Sequence, residues 1–449
     1  MENRTDLFIS DIQKFTDKVF TQKNYHQAKR CLLDYLGATL AGAQLLNEKK
    51  ENLITTLGFS NGNIKVIGNE YKTNLERAAF INGLYSHVAE LDDGIISGIV
   101  HPGSPILSAL IPYAEKENVN GCDFLKGVVV GYEVAARLAD AIQPSHKMKG
   151  FHATASCGAI GGAVAISVML NYSFKELKNA FSIAAVSAFG SLKVLEDNSQ
   201  LKPYNVALAA QIAVISTAMA KADFNGPDDV LTGKTGFFEM VSDTYDLSFL
   251  DFKSNDTLAV DRVYIKPYAA CRYCHPGIDA VFTLMNKQSI ELENIKSIEV
   301  LTYSLAVKNH DHVIIDNISS AKMSIPYSVA VALLTGKAGL EQFTDKYIFN
   351  KEIVKLTKKI VVNESEEFTQ LFPTKTGAEI VIKTNDGSIY KGRVEMPKGE
   401  PQTPLTDNEL VEKYVSLAKT NTSKQIDTDK VLYTVWNLEN EMSHLFDLL

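Results

Sequence analysis

Between His87 and Pro105 the chain sets His87, Glu90, Asp92, Asp93 and His101 within one short span flanked by apolar sequence. The span reads His87-Val88-Ala89-Glu90-Leu91-Asp92-Asp93-Gly94, then a small-residue stretch, then His101-Pro102-Gly103-Ser104-Pro105. Carboxylates beside imidazoles can pass protons, and histidine does so near neutral pH. The plain alternative is a solvated helix end followed by a loop histidine.

Two further loops repeat the arrangement around His101. Phe151-His152-Ala153-Thr154-Ala155 runs into a helix-like stretch of small residues, and Gln200-Leu201-Lys202-Pro203 runs into another. Three basic side chains thus stand at three predicted helix starts. Each start presents unpaired N–H groups and a partial positive charge, so a pocket where the three meet suits a small polyanion.

A fourth element is Ile265-Lys266-Pro267-Tyr268-Ala269-Ala270-Cys271-Arg272-Tyr273-Cys274-His275-Pro276. Cys271-x-x-Cys274-His275 has the spacing of a haem attachment motif. Haem attachment belongs to exported chains, and Met1 to Ser10 shows no export signal. No second Cys-x-x-Cys or spaced His pair completes a zinc site, and no thioredoxin-like βαβ context supports a redox dithiol. Lys266 and Arg272 remain, two cations suited to carboxylates, with His275 and Pro276 starting the next helix.

The elements that must carry these residues are mostly helical up to about Ala222. Thr73 with Glu76 predicts a capped helix over Leu75 to Ala89, which delivers the carboxylates at its C-terminal end. Ser104 as N-cap with Pro105 at the first helical position predicts a helix over Ile106 to Glu115, placing His101 just ahead of it. Ala28, Cys31, Leu32, Tyr35, Leu36 and Thr39 keep the helical period, which recurs from Phe124 to Ala141. Gly158 to Leu170 and Val206 to Ala222 are small or apolar on every face, so they are expected as buried helices whose backbones approach closely. Gly158-Ala159-Ile160-Gly161-Gly162 is read as helix packing, since a nucleotide loop would need a preceding strand.

After about Val263 the pattern changes. Ser297 to Tyr303 and Ile360 to Val362 are β-type runs. Ala378 to Glu395 is a hairpin turning at Asp386-Gly387. Pro397 to Pro404 reads as a linker, and Thr406 with Glu409 caps a returning helix to Ala418. The expected fold is mainly α: a large helical domain made by both ends of the chain, 1–262 and 403–449, with a smaller α+β lid domain over 263–402.

Composition limits the partners. The 449 residues are 45% hydrophobic and 22% charged, enough for a large core, and the net charge is -8. That balance argues against nucleic acid or an anionic membrane surface as the main partner. With no apolar run of membrane-span length and no export signal, a cytosolic protein is expected. Five cysteines make no disulfide framework.

Taken in order, the motifs resemble those of the MmgE/PrpD family. They are His87-x-x-Glu90-x-Asp92-Asp93, His101-Pro102, Phe151-His152, Lys202-Pro203, Lys266-Pro267-Tyr268-x-x-Cys271, Ser324-Ile325-Pro326-Tyr327 and Pro401-x-Thr403-Pro404-Leu405. That family includes 2-methylcitrate dehydratase, cis-aconitate decarboxylase and iminodisuccinate epimerase. The resemblance spans nearly the whole chain and implies a homodimer with no cofactor or metal. It implies that His101, His152, Lys202 and Lys266 line the active site between helical domain and lid, with Glu90 in the place of a pocket aspartate and Tyr327 and Cys271 at pocket positions. Gly94 departs from the family's Asp-Asp-Thr, Cys271 stands where the decarboxylase has histidine, and Asn205 and Ala207 replace a histidine and a glycine.

The expected reaction removes a proton next to a carboxylate of a small di- or tricarboxylate, where cations must offset the charge that builds up. Lys202, Lys266 and Arg272 are expected on substrate carboxylates, Glu90 and Asp93 in the pocket, and His101 or His152 in proton transfer. Dehydration of a 2-methylcitrate-like hydroxy acid heads the readings. Epimerisation of a substituted succinate, decarboxylation and a non-catalytic scaffold are the rivals.

Overall fold

The computed structural model describes residues 3–18, 20–57, 62–196, 199–252 and 257–449. The chain is mainly α and forms two compact units. The first comprises Met1–Glu196, Leu201–Tyr264 and Thr406–Leu449; the second comprises Asp197–Gln200 and Ile265–Leu405.

In the first unit, helices α1 (Gln22–Leu45), α2 (Leu75–Val88), α3 (Gly103–Glu117), α4 (Gly121–Ile142), α5 (Ala153–Met169), α6 (Phe174–Ser187) and α7 (Lys202–Lys221) follow in order. Every residue of α5 is buried, and it packs on α3, α4, α6 and α7. Small side chains make this possible. A Cβ on Gly131 of α4 would stand 2.6 Å from the Ala165 Cβ, and one on Gly161 of α5 would stand 2.7 Å from the Ala135 Cβ. Adding a methyl at either site would overpack the crossing at a cost of about 1–3 kcal/mol. The Gly-Ala-Ile-Gly-Gly stretch is therefore a packing surface, as its composition predicts.

Two predicted caps move, by one residue at α2 and by two at α3. The cap of α2 is Asn74, without a side-chain bond, because Thr73 is paired in a short strand with Ile64. Helix α3 begins at Gly103 after Pro102, again without a side-chain cap; Ser104 has another partner, described below. One expectation about length also changes. Helix α7 is long and apolar enough to cross a membrane by composition, although more than half of it is buried within the protein. It is a core helix of the bundle, lying against α2 and α5.

The second unit holds a four-stranded sheet of β1 (Ile295–Thr302), β2 (Ile360–Glu364), β3 (Ala378–Thr384) and β4 (Ile389–Val394) in the order β2-β1-β3-β4. The β1–β2 pair is parallel and the others antiparallel. The β3–β4 hairpin is the one its turn sequence predicts, with Ile382 opposite Tyr390. Helix α8 (His275–Met285) covers β3 and β4, and α9 (Ile325–Thr335) lies against α8. The chain then re-enters the first unit as α10 (Asp407–Ala418), whose Thr406 accepts from the Glu409 N–H at 3.2 Å while Glu409 accepts from the Thr406 N–H at 2.8 Å. Helix α10 packs on α1, which is how the C-terminal segment joins the N-terminal bundle.

Candidate active site

Helix α2 ends because Glu90 turns into the left-handed region at φ 56°. For a residue with a Cβ this costs about 1–2 kcal/mol, and such strain gathers where side-chain aim matters. The turn sends Glu90 one way and Asp92 and Asp93 another. Asp92, 2% exposed, becomes a shared acceptor: its Oδ2 lies 2.7 Å from His87 Nδ1 and accepts the Ser104 hydroxyl at 2.9 Å. Ser104 thus holds Asp92 instead of capping α3. The same oxygen is 3.7 Å from His101 Nδ1.

His101 is oriented from both sides. Its Nδ1 is 2.5 Å from the Asp93 main-chain carbonyl, which can only accept, so Nδ1 carries the hydrogen and the Nε2 lone pair is the basic one. Its backbone N–H donates to Thr154 Oγ1 at the start of α5, 3.1 Å away. Asp92 behind the ring favours the imidazolium that would form on taking a proton. This geometry leaves Nε2 able to accept a proton.

Around it stand the other predicted groups. The His87 ring centre is 5.3 Å from that of His101 and 5.9 Å from that of His152. His152 directly precedes α5, and its N–H donates to the Gly190 carbonyl at 2.8 Å. Burial, reinforced by His87, Lys202 and His101, holds His152 well below its usual pKa, so it is neutral. His87 Nε2 and His152 Nδ1 are buried without a hydrogen-bond partner among the described residues. Such atoms are open to a hydrogen bond from a water or a polar ligand. Lys202, the first residue of α7, forms an ion pair with Glu90. The convergence of His101, His152 and Lys202 expected from sequence is present, together with His87 and Asp92, whose roles the sequence did not distinguish.

Asp93 differs from its expected role as a substrate-binding residue. Its Oδ1 accepts the Gly103 N–H at 3.0 Å and its Oδ2 accepts the Tyr132 hydroxyl at 2.8 Å, all buried. A Cβ at residue 103 would meet Tyr132 Oη at 2.5 Å, so only glycine lets the loop approach so closely. Asp93 is a clamp between the loop and α4. Behind it, Lys413 of α10 bonds Asp34 Oδ1 at 2.5 Å and the Leu91 carbonyl at 2.7 Å.

The second unit carries Lys266, Cys271, Arg272 and Tyr327. Lys266 is fully buried. Arg272 is not placed as a free cation for substrate: it donates to Glu400 Oε1 from Nε at 3.0 Å and from Nη2 at 2.5 Å, in a buried ion pair. Tyr327 is also engaged, its hydroxyl donating to the Gln342 carbonyl at 2.7 Å. The Ser324-Ile325-Pro326-Tyr327 motif caps α9, with Ser324 Oγ accepting the Tyr327 N–H at 3.1 Å. Cys271 is partly exposed and Cys274 buried. His275 lies against the Ala270 carbonyl and Arg272, which explains the Cys-x-x-Cys-His spacing without haem. Among the described residues no three His, Cys, Asp or Glu side chains are grouped to hold a metal ion.

Sequence comparison now supplies the lineage. The MmgE/PrpD N-terminal domain matches residues 12–250 and the MmgE/PrpD C-terminal domain matches 268–438. The chain belongs to the MmgE/PrpD family. It is 26% identical over 416 residues to cis-aconitate decarboxylase of Aspergillus terreus, covering 87% of this chain and 84% of that protein. It is 24% identical to human cis-aconitate decarboxylase, covering 98% and 92%, and 24% identical to 2-methylcitrate dehydratase of Salmonella typhimurium, covering 90% and 87%.

Within this MmgE/PrpD chain the departures have structural reasons. At Gly94 a Cβ would stand 2.3 Å from the Tyr264 hydroxyl, so the phenol occupies the space a side chain there would take. The backbones of Gly94 and Tyr264 pair at 3.1 and 2.8 Å, and the Tyr264 ring stands edge-on to His101, centres 6.2 Å apart. Asn205 donates to the Ser191 carbonyl at 3.0 Å, bracing the loop whose Gly190 holds His152. Ala207 is where α7 meets Gly83 of α2.

The site's buried groups also set a pH dependence of stability. Burial, with Asp34 adding, pushes Asp93 from 3.8 up to about 8. A carboxyl raised in the fold contributes stability below its unfolded pKa, and that contribution is lost as pH rises toward 8. His146 is pushed from 6.5 down to about 4 by burial, and His152 is lowered too. Their contribution is present above pH 6.5 and lost as pH falls toward 4. The Asp93 contribution should appear as a decline in melting temperature as pH rises toward 8. In Asp93→Asn the alkaline decline should vanish; a decline that persists unchanged would clear Asp93 as its source.

Proposed function

We propose that this chain is a lyase of the MmgE/PrpD family acting on a small di- or tricarboxylate, with dehydration of a 2-methylcitrate-like hydroxy acid as the leading reading. The observation that carries it is His101, with Nδ1–H fixed on the Asp93 carbonyl and Asp92 behind the ring, in a cluster that also holds a neutral His152 and Lys202. In this reading His101 Nε2 takes the proton on the carbon next to a substrate carboxylate. Lys202 offsets the charge that flows into that carboxylate, where a preorganised cation is most effective. The β-hydroxyl leaves as the double bond forms, and protonation makes it water. His152, being neutral, holds a polar substrate group without adding charge. Lys266 is proposed to serve the same reaction on the strength of its Lys-Pro-Tyr motif, and no cofactor or metal is proposed.

Decarboxylation of a cis-aconitate-like acid is the second reading, favoured by the similarity to the decarboxylases of Aspergillus terreus and human. It uses the same parts in the reverse sense, with His101 giving a proton to the carbanion left by carbon dioxide.

Proton NMR of the purified enzyme in deuterium oxide, with 2-methylcitrate, citrate, cis-aconitate and substituted succinates, decides between them. Loss of a proton beside a carboxylate, seen as a new vinyl proton from citrate or as the methyl doublet of 2-methylcitrate collapsing to a singlet, supports dehydration. Consumption of cis-aconitate with deuterium entering the product supports decarboxylation, and exchange with inversion of a succinate supports epimerisation. If no compound loses or exchanges a proton at substrate-level enzyme concentrations, the lyase reading falls.

A further inference from the structure

Outside the histidine cluster, the second unit contains a thiol and an imidazole in contact. Cys271 Sγ is 3.4 Å from His310 Nε2. On its far side, His310 Nδ1 is 2.7 Å from the Lys308 carbonyl. A carbonyl only accepts, so Nδ1 must donate, and this leaves Nε2 to take the thiol proton. The His310 ring is buried and stands edge-on to Tyr273, centres 5.0 Å apart at 76°. The backbone N–H of Cys271 is held by the Lys322 carbonyl at 2.8 Å. Cys271 itself is partly exposed.

A nucleophile, a base within reach and a third group orienting the base form the arrangement that activates a cysteine. We propose that Cys271 and His310 form a nucleophilic thiol site that reacts with soft electrophiles, its physiological class being low-molecular-weight disulfides. In the step, the Cys271 thiolate attacks one sulfur of the disulfide while its proton rests on His310 Nε2. The disulfide bond breaks, a mixed disulfide forms on Cys271, and the departing thiolate takes the proton from His310. No net oxidant beyond the disulfide is needed.

Tyr273 and Tyr303 face the pair, and burial raises both phenols far above neutrality, so they stay uncharged. The Arg272–Glu400 ion pair beside Tyr303 is internally neutral. Cys31, Cys157 and Cys274 are buried, and Cys122 alone among the other cysteines is exposed. Burial also raises Cys31 and Cys157, so neither competes for reagent.

The test follows thiopyridone release from dithiodipyridine by the folded full-length protein in a Cys122→Ser background, from pH 5 to 9. One thiol should react, and its rate should hold up at pH 6 to 7, where an ordinary thiol with a pKa of ~8.5 is mostly protonated. His310→Gln should lower the rate at pH 6.5 about tenfold and return the profile to that of an ordinary thiol. Cys271→Ser should abolish the fast phase while the circular dichroism melt stays intact, and mass mapping should place the adduct on Cys271. A fast phase surviving Cys271→Ser, or a pH profile unchanged in folded His310→Gln, would overturn the assignment. Since the readout is chemical modification, it stands or falls apart from the lyase reading.

Discussion

Changing His101 to glutamine should lower kcat by about a thousandfold, within the 10²–10⁴ that positioned proton transfer contributes, while KM stays within severalfold. Glutamine keeps a polar group of similar reach that can still donate toward the Asp93 carbonyl, 2.5 Å from the native ring nitrogen. What it loses is the basic lone pair and the capacity to hold a proton in front of Asp92. Unchanged KM with lowered kcat is the signature of an interaction made only as the proton moves. Steady-state rates on the substrate found by NMR, with a thermal melt for integrity, read it directly. If the variant keeps more than a tenth of the native rate, proton transfer belongs to His152 and the assignment made from Nδ1 geometry is wrong.

The second large effect should come from a residue that reaches the substrate only through others. Asp92→Asn replaces the one carboxylate that touches His87 Nδ1 at 2.7 Å, receives Ser104 at 2.9 Å and stands 3.7 Å behind His101. An amide is neutral and can present N–H where the histidines need an acceptor, so it removes the charge and disturbs the tautomers together. A neutralised carboxylate behind a catalytic histidine costs as much as 10⁴ in turnover in the serine-protease case. Here the expectation is about a hundredfold, because the Asp93 carbonyl still fixes the His101 tautomer. The acidic limb of kcat/KM should move to lower pH, since the imidazolium loses its anion. That shift separates positioning from mere damage: a variant that loses rate with no movement of the limb would make Asp92 a structural residue.

These two residues also show what the sequence could and could not reveal. His101, His152 and Lys202 were legible because each stands beside a helix start whose signals are local, and α5 brings such starts together by packing Gly158 on Pro105 of α3 and Gly162 on Ala213 of α7. The β3–β4 hairpin and the Thr406–Glu409 cap were legible for the same reason. Asp92 and Asp93 were not separable, since they are neighbours of identical chemistry and only the left-handed turn at Glu90 decides which faces the histidines and which clamps Tyr132. Arg272 reads as a free cation because its partner Glu400 is 128 residues away. Tyr327 reads as a pocket residue until its hydroxyl is seen to hold Gln342, and the His310 beside Cys271 is not legible because it lies 39 residues on. Tyr264 carries no motif, yet its phenol fills the place left by Gly94.

The Glu90–Lys202 ion pair carries a consequence for recognition. Lys202 is supplied with a counter-ion by its own protein, so an arriving anion does not meet an unsatisfied cation. Under the proposed function it takes over from Glu90, exchanging one carboxylate for another with almost no change in pairwise attraction. Charge alone then favours no guest over the resident. In that reading selection falls to what Glu90 lacks: further carboxylates and hydroxyls spaced to reach at the same time the His87 and His152 nitrogens that have no partner among the described residues. An acid with a single carboxylate would compete with a tethered rival and gain nothing elsewhere, which makes the pair a gatekeeper for molecular shape.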